Sequence, residues 1–121
     1  MTPLKVYTLA NCDTCRKAVK WLRAHGVTFE ERAIRATPPT PAELRAMLAA
    51  YRGELRKLFN TSGGDYRAQQ LGEKLPTLPE AAALELLAGN GNLVKRPFAI
   101  GAGVALVGFD EAAWTAAIGK K

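Results

Sequence analysis

Two cysteines at the junction of a predicted strand and a predicted helix restrict the fold of this chain more than any other feature. Residues 4–9 alternate in character and are rich in strand-forming types, and Cys12 and Cys15 follow closely. From about residue 13 to residue 24 the apolar positions recur at helical spacing, with Cys15 among them. The pattern predicts a strand that leads directly into a helix, with Cys12 where the helix begins.

The end of this helix and the segment after it extend the pattern. His25 and Gly26 supply a basic residue in the last turn and a glycine that can adopt a positive φ. Residues 27–34 then alternate again, which predicts a second strand. A strand, a helix and a strand at this spacing predict a β-α-β unit, in which the two strands are parallel.

A helical insertion is predicted over about residues 38–92. The helices are expected at residues 41–51, 66–71 and 79–87, with a further helical turn at 54–59 and a loop at 60–65. Two short apolar runs, 98–100 and 104–107, then flank a glycine turn and predict an antiparallel hairpin.

The chain closes with a helix over residues 111–118. Asp110 is its predicted N-cap, and Trp114 and Ile118 are predicted to lie on its inner face. The fold class is therefore α/β, in the order β-α-β, helical insertion, β-β-α.

Length and composition fit a single domain over residues 1–121. Of the 121 residues, 48% are hydrophobic and 23% charged, which is ordinary for a globular chain that builds its core without metal or disulfide support. No stretch approaches about 18 uncharged apolar residues, and the N-terminus lacks a basic region followed by a long apolar block. We therefore predict no membrane segment and no secretory signal, and a location in the cytoplasm.

The charge and the cysteine count exclude two further classes of protein, those that bind nucleic acid and those with a structural zinc site. The net charge of +6 is scattered, without a run of five like charges, so we predict no direct contact with nucleic acid. An anionic substrate, an acidic partner and an ordinary solvated surface all remain compatible with it. A structural zinc site needs four ligands, whereas the chain has two cysteines and one histidine, and no metal is predicted.

The position of Cys12 predicts a nucleophilic thiolate. The free N–H groups of the first helical turn and the helix dipole both favour negative charge there, and Arg16 adds a positive charge one turn along. Cys15 lies within reach of Cys12, so the pair can form a reversible disulfide. The alternative is that both cysteines are unreactive and pack in the interior.

Arg96 and Pro97 open the predicted hairpin. A proline is tolerated at the first position of a strand, and a cis bond here would fix a loop beside the cysteines. Arg96 would then serve as a fork for an anion near Cys12. The alternative is a surface arginine that happens to precede a strand.

Four segments together resemble the arsenate reductase (ArsC)/Spx family, which is a branch of the thioredoxin-like fold. They are Asn-Cys-Asp-Thr-Cys-Arg-Lys-Ala at 11–18, Leu-Phe-Asn-Thr-Ser-Gly at 58–63, Leu-Val-Lys-Arg-Pro at 93–97 and Val-Gly-Phe-Asp-Glu at 107–111. They occur in the family's order along nearly the whole chain. The resemblance implies a thioredoxin-like fold with a mixed four-stranded sheet, a cis peptide bond at Pro97, and a structural role at the site for Asn11.

The family's reductases suggest one function. In them the first cysteine attacks the arsenic of arsenate, arginines hold the oxyanion, and glutathione with glutaredoxin completes the reduction. The resemblance makes Cys12 the nucleophile and Arg96 an anion-binding residue, with Arg56 as a second. The resemblance extends to the YffB-type proteins, which are taken to be glutathione-dependent thiol reductases, and there the later arginine corresponds to Arg67. Glutathione is then a co-substrate, and no cofactor is bound.

Spx-type regulators suggest the alternative. They use a two-cysteine motif as a disulfide switch and bind the C-terminal domain of the RNA polymerase alpha subunit. Gly53 lies close to the position of the glycine that these regulators present to polymerase. A family member that binds glutathione without turnover is a third reading. In each case we predict a monomer.

Overall fold

The computed structural model describes residues 3–118. Its four strands, β1 to β4 in chain order, are Lys5–Thr8, Glu30–Ala33, Phe98–Gly101 and Val104–Val107. Its six α-helices, α1 to α6, are Asp13–Ala24, Pro41–Ala50, Gly64–Ala68, Leu71–Lys74, Glu80–Gly89 and Glu111–Ala117. Short 3-10 helices cover Leu55–Leu58, Leu75–Thr77 and Gly91–Leu93.

The strands form one mixed sheet in the order β2-β1-β3-β4. β1 is parallel to β2, and the β1–β3 and β3–β4 pairs are antiparallel. The predicted α/β class, the parallel β-α-β unit and the hairpin are therefore confirmed. None of the helices within residues 3–118 is both long enough and apolar enough to cross a membrane.

The described residues form two compact units. The first contains the residues up to Ala33 and those from Arg96 onward, and so holds the whole sheet, α1 and α6. The second, Ile34–Lys95, holds α2 to α5 and corresponds to the predicted helical insertion. That residues 1–121 act as a single domain stays a prediction.

The first unit has its core between the sheet and the helices α1 and α6. The buried members of this core are Leu4, Val6, Ala18, Trp21, Leu22, Ala99 and Trp114. Ile118 packs against them and Asp110 accepts a hydrogen bond from the N–H of Ala112 at 3.1 Å, so the inner face and the N-cap predicted for α6 are confirmed.

Helix α1 begins and ends where the sequence pattern predicts. His25 is its C-cap and Gly26 adopts a φ of 67°, with its N–H donating to the carbonyl of Arg23 at 3.1 Å. The His25 ring stacks on Trp21 at 4.1 Å and its Nδ1 lies 2.8 Å from the Trp21 carbonyl oxygen. The helix that carries both cysteines is thus fixed at its C-terminal end.

The hairpin depends on a close backbone approach at Gly101. Its φ is 120°, and a Cβ atom there would lie 2.1 Å from the carbonyl oxygen of Pro3. Ala102 and Gly103, which connect the strands, also have positive φ values of 53° and 79°. Such values at both central residues suit the two-residue turns that join antiparallel strands.

Strand β2 is shorter than predicted. Residues 27–34 alternate, but only Glu30–Ala33 pair with β1. The side chains of Val27 and Phe29 pack against the core of the first unit, and the N–H of Val27 donates to the Leu22 carbonyl at 3.0 Å. The apolar residues before β2 thus belong to the segment that connects α1 to β2.

The helical structure predicted at 66–71 is present but interrupted, because the chain forms α3 and α4 instead of one helix. Gln70 separates them in the left-handed conformation, with a φ of 55°. Tyr66 and Leu71 are both buried, yet on one continuous helix they would point about 140° apart. The break allows both to be buried, and α3 begins at Gly64, inside the predicted loop.

Candidate active site

Cys12 is the N-cap of α1, directly after the turn that follows β1. Its backbone is extended, with φ −108° and ψ 114°, and its Sγ atom accepts a hydrogen bond from the backbone N–H of Cys15 at 3.3 Å. The residue is partly exposed, and its thiol is free. An N-cap side chain that accepts from the first turn is favoured by the unpaired N–H groups of a helix start.

Cys15 is one turn further along α1 and only 2% exposed. Burial, and then the hydrogen bond and charge of the Cys12 side chain, raise the pKa of the Cys15 thiol to about 12. A backbone hydrogen bond from Leu9 and the charge of Arg96 act on this pKa in the opposite direction but are outweighed. Cys15 is therefore a protonated thiol at neutral pH.

The peptide bond between Arg96 and Pro97 is cis, as the resemblance implies. Pro97 is buried, and its carbonyl accepts a hydrogen bond from the N–H of Gly108 at 2.9 Å. Arg96 is partly buried, and its positive charge reaches the Cys15 thiol. The structure thus brings Cys12, Cys15 and Arg96 together in the first unit.

Asn11 precedes Cys12 and Arg16 follows it by one helical turn, and both are exposed. The Arg16 guanidinium donates to the carbonyl of Ala10 at 3.3 Å and forms an ion pair with Asp13. The positive charge that the sequence places near Cys12 is therefore shared with a carboxylate of the same helical turn.

Arg56 and Arg67, the other two predicted anion-binding residues, lie in the second unit. Arg56 is exposed on the 3-10 helix Leu55–Leu58, and Arg67 on α3 donates to the carbonyl of Ser62 at 2.8 Å. Their roles stay predictions.

A groove of about 430 Å³ on the first unit was not predicted from the sequence. Its lining residues come from the end of β1, from α1 and from β2: Thr8, Leu9, Ala10, Cys15, Arg16, Val19, Lys20, Arg23 and Glu31. The Thr8 hydroxyl donates to the Glu31 carboxylate at 2.7 Å across the parallel strand pair. Only the pairing of β1 with β2 could have revealed this contact, because the two residues are 23 positions apart. Within residues 3–118, no three His, Cys, Asp or Glu side chains are grouped so that they could hold a metal ion.

A Cys-x-x-Cys pair at the start of the first helix, next to a sheet of order β2-β1-β3-β4 and a cis proline, defines a thioredoxin-like protein. The chain belongs to the ArsC family, whose model matches residues 7–117. The family predicted from the four sequence segments and the thioredoxin-like fold are therefore confirmed.

Individual relatives agree with this assignment. The chain is 44% identical to the uncharacterized protein YusI of Bacillus subtilis, over 89% of this chain and 92% of YusI. It is 35% identical to the global transcriptional regulator Spx of Enterococcus faecalis, over 89% of this chain and 80% of Spx. A crystal structure from Bacteroides fragilis, described as related to the ArsC family, superposes with a TM-score of 0.88 at 38% identity and covers 94% of this chain and 96% of its own.

Proposed function

We propose that this protein is a thiol-dependent reductase in which Cys12 is the nucleophile and Cys15 is the resolving thiol. The observation that carries the proposal is the Cys12 Sγ atom at the N-terminus of α1, where the Cys15 N–H donates to it. A backbone donor and the positive end of a helix dipole both stabilise a sulfur that carries negative charge. Membership of the ArsC family supports this reading.

Glutathione mixed disulfides are the first proposed substrate class, with glutaredoxin as a partner. The Cys12 thiolate attacks the glutathione sulfur, the original S–S bond breaks, and the second thiol leaves as a thiolate. Cys15 then passes its proton to this thiolate, attacks the Cys12 sulfur and expels glutathione as a thiolate. The resulting Cys12–Cys15 disulfide regains two electrons from two glutathione molecules, which become glutathione disulfide.

Small oxyanions such as arsenate are the second proposed substrate class. The Cys12 sulfur bonds to the central atom and a water molecule leaves. A glutathione thiol then attacks this sulfur, a Cys12–glutathione disulfide forms, and the oxyanion departs carrying two more electrons. Arg96, with Arg16, is proposed to bind the anion, because a guanidinium fork matches oxyanion and carboxylate geometry.

A redox-switched transcription regulator is the second candidate function. The Cys-x-x-Cys pair and the 35% identity to the regulator Spx favour it. A Cys12–Cys15 disulfide would then change the affinity for the C-terminal domain of the RNA polymerase alpha subunit. The proposed contact is Gly53, which is exposed after α2 and has a φ of 81°.

One experiment separates the two candidates. Turnover of a glutathione mixed disulfide and of arsenate is measured with glutathione and glutaredoxin, for the wild type, Cys12→Ser and Cys15→Ser. In parallel, a pull-down measures how much reduced and how much oxidised protein the alpha C-terminal domain retains. Turnover that Cys12→Ser abolishes supports the reductase, whereas no turnover together with redox-dependent retention supports the regulator. If the protein shows no turnover and is not retained, both candidate functions are contradicted.

A further inference from the structure

The groove between α1 and β2 contains residues that the thiol chemistry leaves unused. Of its nine lining residues, only Cys15 and Arg16 belong to the candidate active site. Its apolar surface comes from Leu9, Ala10 and Val19. The volume of about 430 Å³ lies within the range of sites that bind small or peptide ligands.

Positive charge dominates the groove. Arg16, Lys20 and Arg23 are spaced four and three residues apart on α1, so they project from one side of this helix. Arg16 is paired with Asp13, whereas within residues 3–118 no ion pair joins Lys20 or Arg23 to a carboxylate. Two exposed cations are thus available to a ligand.

The acidic side chains of β2 are already engaged. Glu31, the one carboxylate in the lining, accepts from the Thr8 hydroxyl at 2.7 Å. Glu30 forms an ion pair with Arg32 at 2.9 Å. The net charge that the lining presents to a ligand is therefore positive.

The spacing of the cations suits an extended chain. Lys20 and Arg23 are about 4.5 Å apart along the axis of a helix, and their long, flexible side chains can separate the two charges further. Side chains at alternate positions of an extended segment point to the same side, about 7 Å apart. Two carboxylates at alternate positions can therefore contact Lys20 and Arg23, while the side chain between them faces away.

We propose that this groove binds a short, extended, acidic segment of a partner protein, with two carboxylates paired to Lys20 and Arg23. The aliphatic surface of Leu9, Ala10 and Val19 contacts the stems of the bound side chains. The proposal is independent of thiol chemistry at Cys12 and holds for a reductase and for a regulator.

The test is a titration of the reduced, isotope-labelled protein, followed by amide NMR. The probe is the peptide acetyl-Glu-Val-Glu-Val-Glu-amide, and the matched peptide acetyl-Gln-Val-Gln-Val-Gln-amide controls for backbone and aliphatic contacts. We expect saturable shifts at the amides of Val19, Lys20, Arg23 and Glu31 with the acidic peptide and none with the neutral one.

A pair of charge-matched double variants sharpens the test. Lys20→Gln combined with Arg23→Gln removes the two groove cations that are proposed to pair with the ligand. Arg45→Gln combined with Lys57→Gln removes two exposed cations of the second unit. The first variant should bind the acidic peptide about five- to tenfold more weakly, as the loss of two exposed ion pairs implies. The second should bind it like the wild type.

Three results would overturn the proposal. One is an absence of saturable shifts, and another is equal weakening in both double variants, which would show that only overall charge matters. The third is an inorganic phosphate titration that produces the same shifts at lower concentration than the peptide, which would define a small-anion site.

Discussion

The backbone N–H of Cys15 donates a 3.3 Å hydrogen bond to the Sγ atom of Cys12, so the buried cysteine directly supports the exposed one. The two thiols are three residues apart on the same helix, but their surroundings differ. Cys12 is partly exposed at the N-terminus of α1, whereas Cys15 is 2% exposed. We therefore expect the two cysteines to have different roles in thiol exchange, with Cys12 as the nucleophile and Cys15 as the resolving thiol.

We expect the two cysteines to be alkylated at very different rates at neutral pH. In Cys15→Ser only Cys12 can react, and in Cys12→Ser only Cys15 can. Iodoacetamide should modify Cys12 at least about tenfold faster, because Cys15 is shielded and almost entirely protonated. The rates are measured by mass spectrometry over time. In denaturing guanidinium the two variants should react alike, and equal rates in the folded state would contradict the assignment.

The stability of the protein should depend on Cys15 at alkaline pH. Burial raises the pKa of Cys15 from 9.0 to about 12, so the unfolded chain releases this proton at a lower pH than the folded chain. The contribution of the protonated Cys15 thiol to the free energy of unfolding is complete below pH 9 and is lost as the pH rises through about 12. Under reducing conditions, the free energy of unfolding measured in urea should therefore fall more over this pH interval for the wild type than for Cys15→Ser. Parallel pH profiles would show that Cys15 does not contribute.

Arg96→Ala should reduce the kcat/KM of the mixed-disulfide reaction about ten- to hundredfold. The substitution would remove the charge-assisted, bidentate contact to an anion that we propose for Arg96. Arg96→Lys should restore part of the activity, because an ammonium cannot form the fork.

The control is Lys95→Ala, which removes the neighbouring exposed cation. It should leave kcat/KM near the wild-type value, and thermal melting of all three variants checks that they fold. If Arg96→Ala retains both full activity and an unchanged melting temperature, Arg96 does not take part in the reaction.

Gly101→Ala should destabilise the protein more than Gly103→Ala does. Both residues have positive φ, so both substitutions carry backbone strain of about 1–3 kcal/mol. Only at Gly101 would the new Cβ atom also collide with the Pro3 carbonyl oxygen. We expect the free energies of unfolding, measured in urea, to differ by more than about 1 kcal/mol. Equal losses would mean that the segment at Pro3 moves aside.

Local patterns predicted the parts of the fold that local interactions determine. The helix over Asp13–Ala24 and its end at His25 and Gly26 follow from side-chain spacing and from the conformational freedom of glycine. The hairpin follows from the glycine turn between two apolar runs. The cis bond at Pro97 came from the family resemblance, since no rule for single residues requires it.

Long-range packing explains what the sequence pattern missed. Val27 and Phe29 alternate with polar residues as in a strand, but they pack against the core after α1. Gln70 interrupts a helical pattern, so Tyr66 and Leu71, which would lie on different sides of one helix, are both buried. The groove could not be predicted from the sequence, because the hydrogen bond of the Thr8 side chain to Glu31 depends on strand register.

The tryptophans of the first unit give the protein an internal optical reporter. Its two tryptophans, Trp21 and Trp114, meet edge to face at 6.1 Å, and the second unit contains none. Intrinsic emission at long wavelength therefore originates beside α1, the helix that carries both cysteines. A change in the surroundings of that helix can be recorded in an unlabelled, unaltered protein, and the signal reports on one unit alone.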